Sequence, residues 1–168
     1  VWRVGGQFRF LEEVYEKLME NYLGRTLSVL PTLHQDIHTH VTKIHDFQEY
    51  LDRLSSKDML AALCAYALQL GVEDIHIEPE EQDVHVRFRI DGVLQSIARI
   101  ERSHYPVLLG RIKQVAGLKT GEQAGLNDSR FSLEWQKDLE TDPVSIDVRL
   151  SIILGGYGET AVLRLLNI

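Results

Sequence analysis

The sequence predicts an α+β domain: a mostly antiparallel sheet of about six strands with helices on one face, preceded by an N-terminal helical pair. Three observations carry this. Ile75 and Ile77 alternate with Asp74, His76 and Glu78, and Val84, Val86, Phe88 and Ile90 alternate with His85, Arg87 and Arg89. The same alternation returns at Val144, Ile146, Val148, Leu150 and Ile152. That period of two belongs to strands with one buried face. Between such runs lie segments whose apolar residues recur at three and four, the signature of amphipathic helices. Short turns join successive strands, which imposes antiparallel pairing.

In chain order, Leu11, Val14, Tyr15, Leu18, Met19 and Tyr22 predict a helix over 8–23 that Gly24 ends. Ile37, Val41, Ile44 and Leu51 predict a second helix over 33–54. Ser55 with Asp58 three residues on reads as an N-cap signature, placing a boundary between a helical segment, 1–55, and an α+β domain, 56–168. A third helix carries Leu60, Leu63, Cys64, Ala67 and Leu68 inward and stops at Gly71. Two strands follow, joined where Pro79, Glu80 and Glu81 interrupt pairing, and Asp91-Gly92 turns the chain into a third strand, 93–99. A helix over 105–117 has Pro106 in its first turn, where a missing N–H costs little. On it, Arg111 and Lys113 need not be buried. Residues 118–129 read as loop, and strands resume at 130–135, 144–153 and 160–166, the last two joined through Gly155–Gly158. The open face of this sheet would show Arg87, Arg89, Asp147, Arg149 and Arg164.

With 44% hydrophobic residues, the chain has material for a sizeable core. A formal net charge of −7 argues against nucleic acid as the main partner. Yet between His85 and Lys113 six basic residues (Arg87, Arg89, Arg99, Arg102, Arg111, Lys113) face two acids, Asp91 and Glu101. A local basic stretch on an acidic domain suits a small anion or an acidic patch on a partner. One cysteine, Cys64, excludes a disulfide within the chain. No apolar run approaches the length of a membrane span, and the start at Val1 predicts a piece of a longer polypeptide.

The motifs EDIHIEP, VRFRIDGVL, RIKQVAGL, IDVRLS and GYGETAVLRLL, in that order and spacing, resemble the N-terminal domain of the secretion ATPases. Those are the hexameric motors of type II secretion and type IV pilus assembly. The resemblance covers Lys57 to Ile168. It implies a PAS-like sheet placed just before a RecA-like nucleotide-binding domain, and a function as a regulatory and assembly domain that closes over ATP. It further implies ATP and Mg2+ as cofactors of the full-length protein, and none for this piece alone. The implied partners are the RecA-like domain, neighbouring subunits of a homohexamer and the cytoplasmic part of an inner-membrane component. The implied location is the bacterial cytoplasm, peripheral at the inner membrane.

Residue by residue, the first arginine of the family's RFRxDG motif matches Arg87, and a second arginine fifteen residues on matches Arg102. The family directs these two to nucleotide phosphates, which fits the planar, permanently charged fork of arginine. Arg89 shares the face of Arg87 and is the next candidate; Arg130 and Arg149 are secondary ones. Where the family reads AEKRxPQDGR this chain has GEQAGLNDSR: Gln123 and Ala124 replace a basic pair and Leu126 a proline, while Glu122, Asp128 and Arg130 fit. The chain is therefore a divergent member by this reading.

Each candidate has a plainer alternative. Arg87 and Arg102 also suit a solvated sheet face, paired to Glu78 or Glu101. No glycine-rich GK[ST] loop is present, the order around Gly117 to Thr120 being wrong, so hydrolysis by this stretch alone is not expected. His34 and His38, at i and i+4, are weak metal candidates without evident companions. His76 and His85 suit an exposed cross-strand pair. Two further functions remain open: a non-catalytic module docking an inner-membrane partner through 1–55, and a PAS-like sensor of a small ligand.

Overall fold

The computed structural model describes residues 25–120 and 126–166. The expected helix over 8–23 lies outside them. The fold is α+β, as expected, built on one mixed sheet of seven strands. In chain order the elements are β1 (Thr26–Val29), α1 (Pro31–His40), α2 (Ile44–Asp52), α3 (Met59–Leu70), β2 (Asp74–Pro79), β3 (Asp83–Ile90) and β4 (Val93–Glu101). A single 3-10 turn (Arg102–His104) leads into α4 (Tyr105–Val115), followed by β5 (Leu126–Trp135), β6 (Val144–Gly155) and β7 (Gly158–Leu166).

The spatial order is β1-β5-β6-β7-β2-β3-β4. Every neighbouring pair is antiparallel except β1 with β5. β7 thus lies inside the sheet, between β6 and β2, against the central hairpin. Asp91 (φ 49) and Gly92 (φ 75) both adopt the left-handed turn conformation that the β3–β4 hairpin requires. Gly71 ends α3 at φ 64, the conformation a side chain would penalise.

Expectations for residues 25–58 need correction. The predicted helix over 33–54 is two helices. Asp46 accepts from the backbone N–H of Thr42 and Lys43 and from the Thr42 hydroxyl, at 2.7–3.0 Å, so its carboxylate starts α2 and breaks the run at Val41–Lys43. Residues 25–55 do not form helices alone: Leu27, Val29, Ile37 and Phe47 join the same core as Ile75, Phe88 and Leu150. The strand β1 was not foreseen. Ser55 does not cap α3; its hydroxyl donates to Asp58, and Asp58 takes the N-cap position without a side-chain bond.

The helices and one face of the sheet share this core, in which Phe47, Tyr66 and Phe88 form an aromatic run. The β4 edge is covered by α2: Arg99 N–H donates to Gln48 Oε1 at 2.7 Å, and Gln48 Nε2 donates to Arg99 O at 2.8 Å. The Gln48 amide thus substitutes for a neighbouring strand. Cys64 is fully buried, and burial pushes its thiol pKa up to about 12, which leaves it an inert core residue. Among the described residues no helix is long and apolar enough to cross a membrane.

Candidate functional site

The period of two that buries Ile75, Phe88, Leu150 and Leu163 sends their neighbours to the opposite, helix-free face of the sheet. The register then lines these neighbours up across five strands. Arg130 of β5 lies opposite Arg149 of β6, Arg149 opposite Arg164 of β7, Arg164 opposite Asp74 of β2, and Asp74 opposite Arg89 of β3. Four arginines and one aspartate therefore form a single row.

Asp74 is the hinge of that row. Arg89 Nε donates to its Oδ2 at 3.0 Å, and Arg164 donates from Nε to Oδ1 at 2.8 Å and from Nη2 to Oδ2 at 3.4 Å. The two guanidinium groups roof it, leaving its side chain 3% exposed on a face that is otherwise solvated. Burial acts to raise the Asp74 pKa, but the Arg164 and Arg89 bonds outweigh it, and the carboxyl lies below its ordinary value. Arg89 is further tied to the Gly92 carbonyl at 3.1 Å.

Arg87 closes on Glu78 through Nε and Nη2. Among the described residues Arg102 has no carboxylate partner: it donates to the backbone carbonyls of Glu80 and of Tyr157, the latter at 2.8 Å. It thereby joins the β2–β3 connection to the β6–β7 turn. Its side chain is aimed by neutral groups. Arg99 takes the nearby acids instead, donating to Glu80 at 2.8 Å and Asp83 at 2.7 Å. Arg87 and Arg102 share no partner, so the expected ion pair of Arg87 with Glu78 is present and one of Arg102 with Glu101 is not.

Arg130 and Arg149, held as secondary candidates, are the arginines of the row that remain uncompensated. Both are exposed, and neither has a hydrogen bond or ion pair among the described residues. With Arg164 they line a shallow cavity of about 500 Å³ together with Asp128, Ser129, Ser151 and Val162.

The histidines do not assemble. His34 is buried beside Trp135, its Nδ1 3.1 Å from Gln69 Nε2, and burial holds its pKa below the usual value. His38 is exposed, and among the described residues no group of three His, Cys, Asp or Glu side chains is placed to hold a metal ion. His76 and His85 are not a cross-strand pair: His76 lies opposite Arg87, and His85 opposite Glu78. His85 Nε2 is 2.8 Å from the Ser96 hydroxyl. His76 Nε2 is buried without a hydrogen-bond partner, and burial lowers its pKa despite Glu78 and Asp74.

The expectation that Lys113 need not be buried is overturned, and its pairing with Glu159 was missed. Lys113 is buried and donates to Glu159 Oε2 at 2.7 Å, each side chain 5% exposed. The signal was present in the β7 alternation, which turns Glu159 to the core side with Ala161 and Leu163.

Residues 50–168 match the family described as Type II/IV secretion system protein. Type II secretion system protein E of Klebsiella pneumoniae is 32% identical over 168 residues, covering 95% of this chain and 33% of that protein. Type II secretion system ATPase E of Vibrio cholerae is 34% identical over 122 residues, covering 69% of this chain and 23% of that protein. The chain thus spans a third or less of the length of these relatives. A solved structure of the pilus retraction motor PilT with bound ADP aligns over 67% of this chain and 29% of its own, at 16% identity and a TM-score of 0.40.

Proposed function

The chain belongs to the Type II/IV secretion system protein family, and from that premise we propose that it is the regulatory and assembly domain of a hexameric secretion or pilus-assembly ATPase. Its open sheet face closes over ATP and Mg2+ held by a RecA-like domain of the longer protein. Closure and release are the mechanical step, a hinge motion biased by ligand contacts. The motor works in the bacterial cytoplasm, against an inner-membrane component of the machine.

The observation that carries this reading is the state of Arg102. Two backbone carbonyls aim its guanidinium without cancelling its charge, so the fork is positioned in advance for phosphate oxygens. Arg87 plays the second part by exchange. Its ion pair with Glu78 is about one-third exposed at the arginine and one-fifth at the acid, a setting in which such a pair contributes up to about 1 kcal/mol. A triphosphate offers Arg87 the same kind of charge-assisted bond with more negative charge behind it, and so competes with Glu78 for the fork. The domain offers forks and no glycine-rich cradle, so it reads a nucleotide gripped elsewhere.

The test is the ATPase activity of the full-length protein with Arg102→Ala and, separately, Arg87→Ala. Turnover should fall in both, about tenfold or more for Arg102→Ala if one phosphate contact is lost in the transition state. Unchanged turnover in both variants removes the domain from ATP chemistry.

A further inference from the structure

Like charges directly opposite one another on adjacent strands destabilise a sheet, at a separation of about 5 Å between their Cβ atoms. The open face nevertheless sets Arg130, Arg149 and Arg164 side by side on β5, β6 and β7. Asp74 relieves Arg164 alone. Four residues further along both strands, on the same face, Leu126 lies opposite Ile153, and these are 63% and 47% exposed. Between the two levels Asp128 is held by the Ser151 hydroxyl at 2.6 Å.

An uncompensated cationic pair beside an exposed apolar pair is the composition of a protein interface: arginine anchors next to side chains that lose water on contact. We propose that this part of the open face docks an acidic protein segment. Two or more of its carboxylates close on Arg130 and Arg149, and an apolar side chain covers Leu126 and Ile153. Arg149, between Arg130 and Arg164, is the anchor.

Three features favour a polypeptide over a nucleotide or an anionic lipid surface at this spot. The arginines sit in strand interiors, where the backbone N–H groups are used in the ladder and form no nest for phosphate. The apolar pair has no counterpart on a triphosphate. Asp128, fixed by Ser151 inside the same cavity, repels a polyphosphate or a continuous sheet of headgroups but is tolerated by a partner whose carboxylates are spaced apart.

The proposal goes beyond the ATP reading and survives its failure, since Arg87 and Arg102 take no part in it. It is tested in the full-length protein, in cells that assemble the machine, with a photo-crosslinking phenylalanine analogue at Ile153. Crosslinks should map to a segment carrying at least two Asp or Glu side chains. Arg130→Glu with Arg149→Glu should reduce them about tenfold or more, the loss of at least one charge-assisted pair. Reversing the mapped acids to Lys in that background should restore them. Both arginines are exposed and, among the described residues, unpaired, so the charge reversal leaves the fold intact, which the thermal midpoint of the purified variant checks. The proposal is overturned if no polypeptide crosslinks, if crosslinking is indifferent to the reversal, or if the mapped segment lacks acids. It is equally overturned if inorganic triphosphate or phosphatidylserine vesicles bind the purified chain and lose that binding in the reversed variant.

Discussion

Arg87 Nε lies 2.9 Å from Glu78 Oε2, and its Nη2 lies 2.7 Å from Oε1, so one guanidinium edge is matched to one carboxylate across the central hairpin. If Arg87 must leave Glu78 to meet phosphate, the pair is a brake on nucleotide contact. Glu78→Gln in the full-length protein then lowers the KM or Kd for ATP by up to about fivefold, the equivalent of about 1 kcal/mol for a partly exposed pair. Arg87→Ala changes it in the opposite direction. Equal nucleotide affinity in wild type and Glu78→Gln means that Arg87 stays on its carboxylate throughout.

Asp74 gathers Arg89 and Arg164 from strands on either side, and its lowered pKa turns that into a pH dependence. A carboxyl depressed in the folded state stabilises above its ordinary pKa of about 4, and that stability is lost as pH falls through the folded value. Urea midpoints taken at about pH 6 and pH 3 should therefore diverge in the wild type. Asp74→Asn should lose about 1–3 kcal/mol at the higher pH, because the two arginines lose the charge they share and one of its two acceptor oxygens, and show a smaller drop at the lower one. A parallel pH profile in the variant assigns the acid sensitivity to other groups.

His76 gives a second pH window with its own sign. Its ring is largely covered, Nε2 is buried without a partner, Nδ1 lies 3.5 Å from Glu78, and burial lowers the pKa below 6.5. Below that value the unfolded chain binds a proton that the folded one resists, so stability falls as pH drops through the mildly acidic range. His76→Gln should flatten the thermal midpoint between about pH 7 and pH 5. His34, also buried with a lowered pKa, leaves a residual slope.

What could be read in advance follows the reach of each signal. Period-two alternation located β2, β3 and β6 and told which face each side chain takes, because that information is local. The strand β1 shows the limit: Leu27 and Val29 alternate with Thr26 and Ser28 over only four residues, and the pairing partner Ser132–Trp135 lies about a hundred residues on. Leu126–Ser129 looked like loop because it is polar; register with Ser151–Ile153 holds it in the sheet. The break at Val41–Lys43 depended on one carboxylate, Asp46, reaching back three and four residues. At the site, sequence named the arginines but not their states. Whether a guanidinium is spent or available rests on pairs such as Asp74 with Arg164, ninety residues apart. So the primary candidates Arg87 and Arg89 proved to be engaged, while the secondary Arg130 and Arg149 proved to be open.

The pair Lys113–Glu159 makes the sharpest stability prediction, because it ties α4 to β7 under the sheet with both side chains 5% exposed. Two charges removed from water offset their desolvation only while they face each other. Lys113→Met therefore strands a buried carboxylate and should cost about 3–5 kcal/mol, and Glu159→Leu takes from Lys113 the carboxylate it faces and should lower stability as well. The double variant Lys113→Met with Glu159→Leu removes both charges at similar volume and should recover most of that loss. The Tyr105 hydroxyl bonds the backbone oxygen of Glu159, so neither substitution deletes that acceptor. A double-mutant cycle by urea unfolding reads the coupling directly. Additive single effects, or single losses below about 1 kcal/mol, mean that water reaches the pair and that apolar contact alone joins α4 to the sheet.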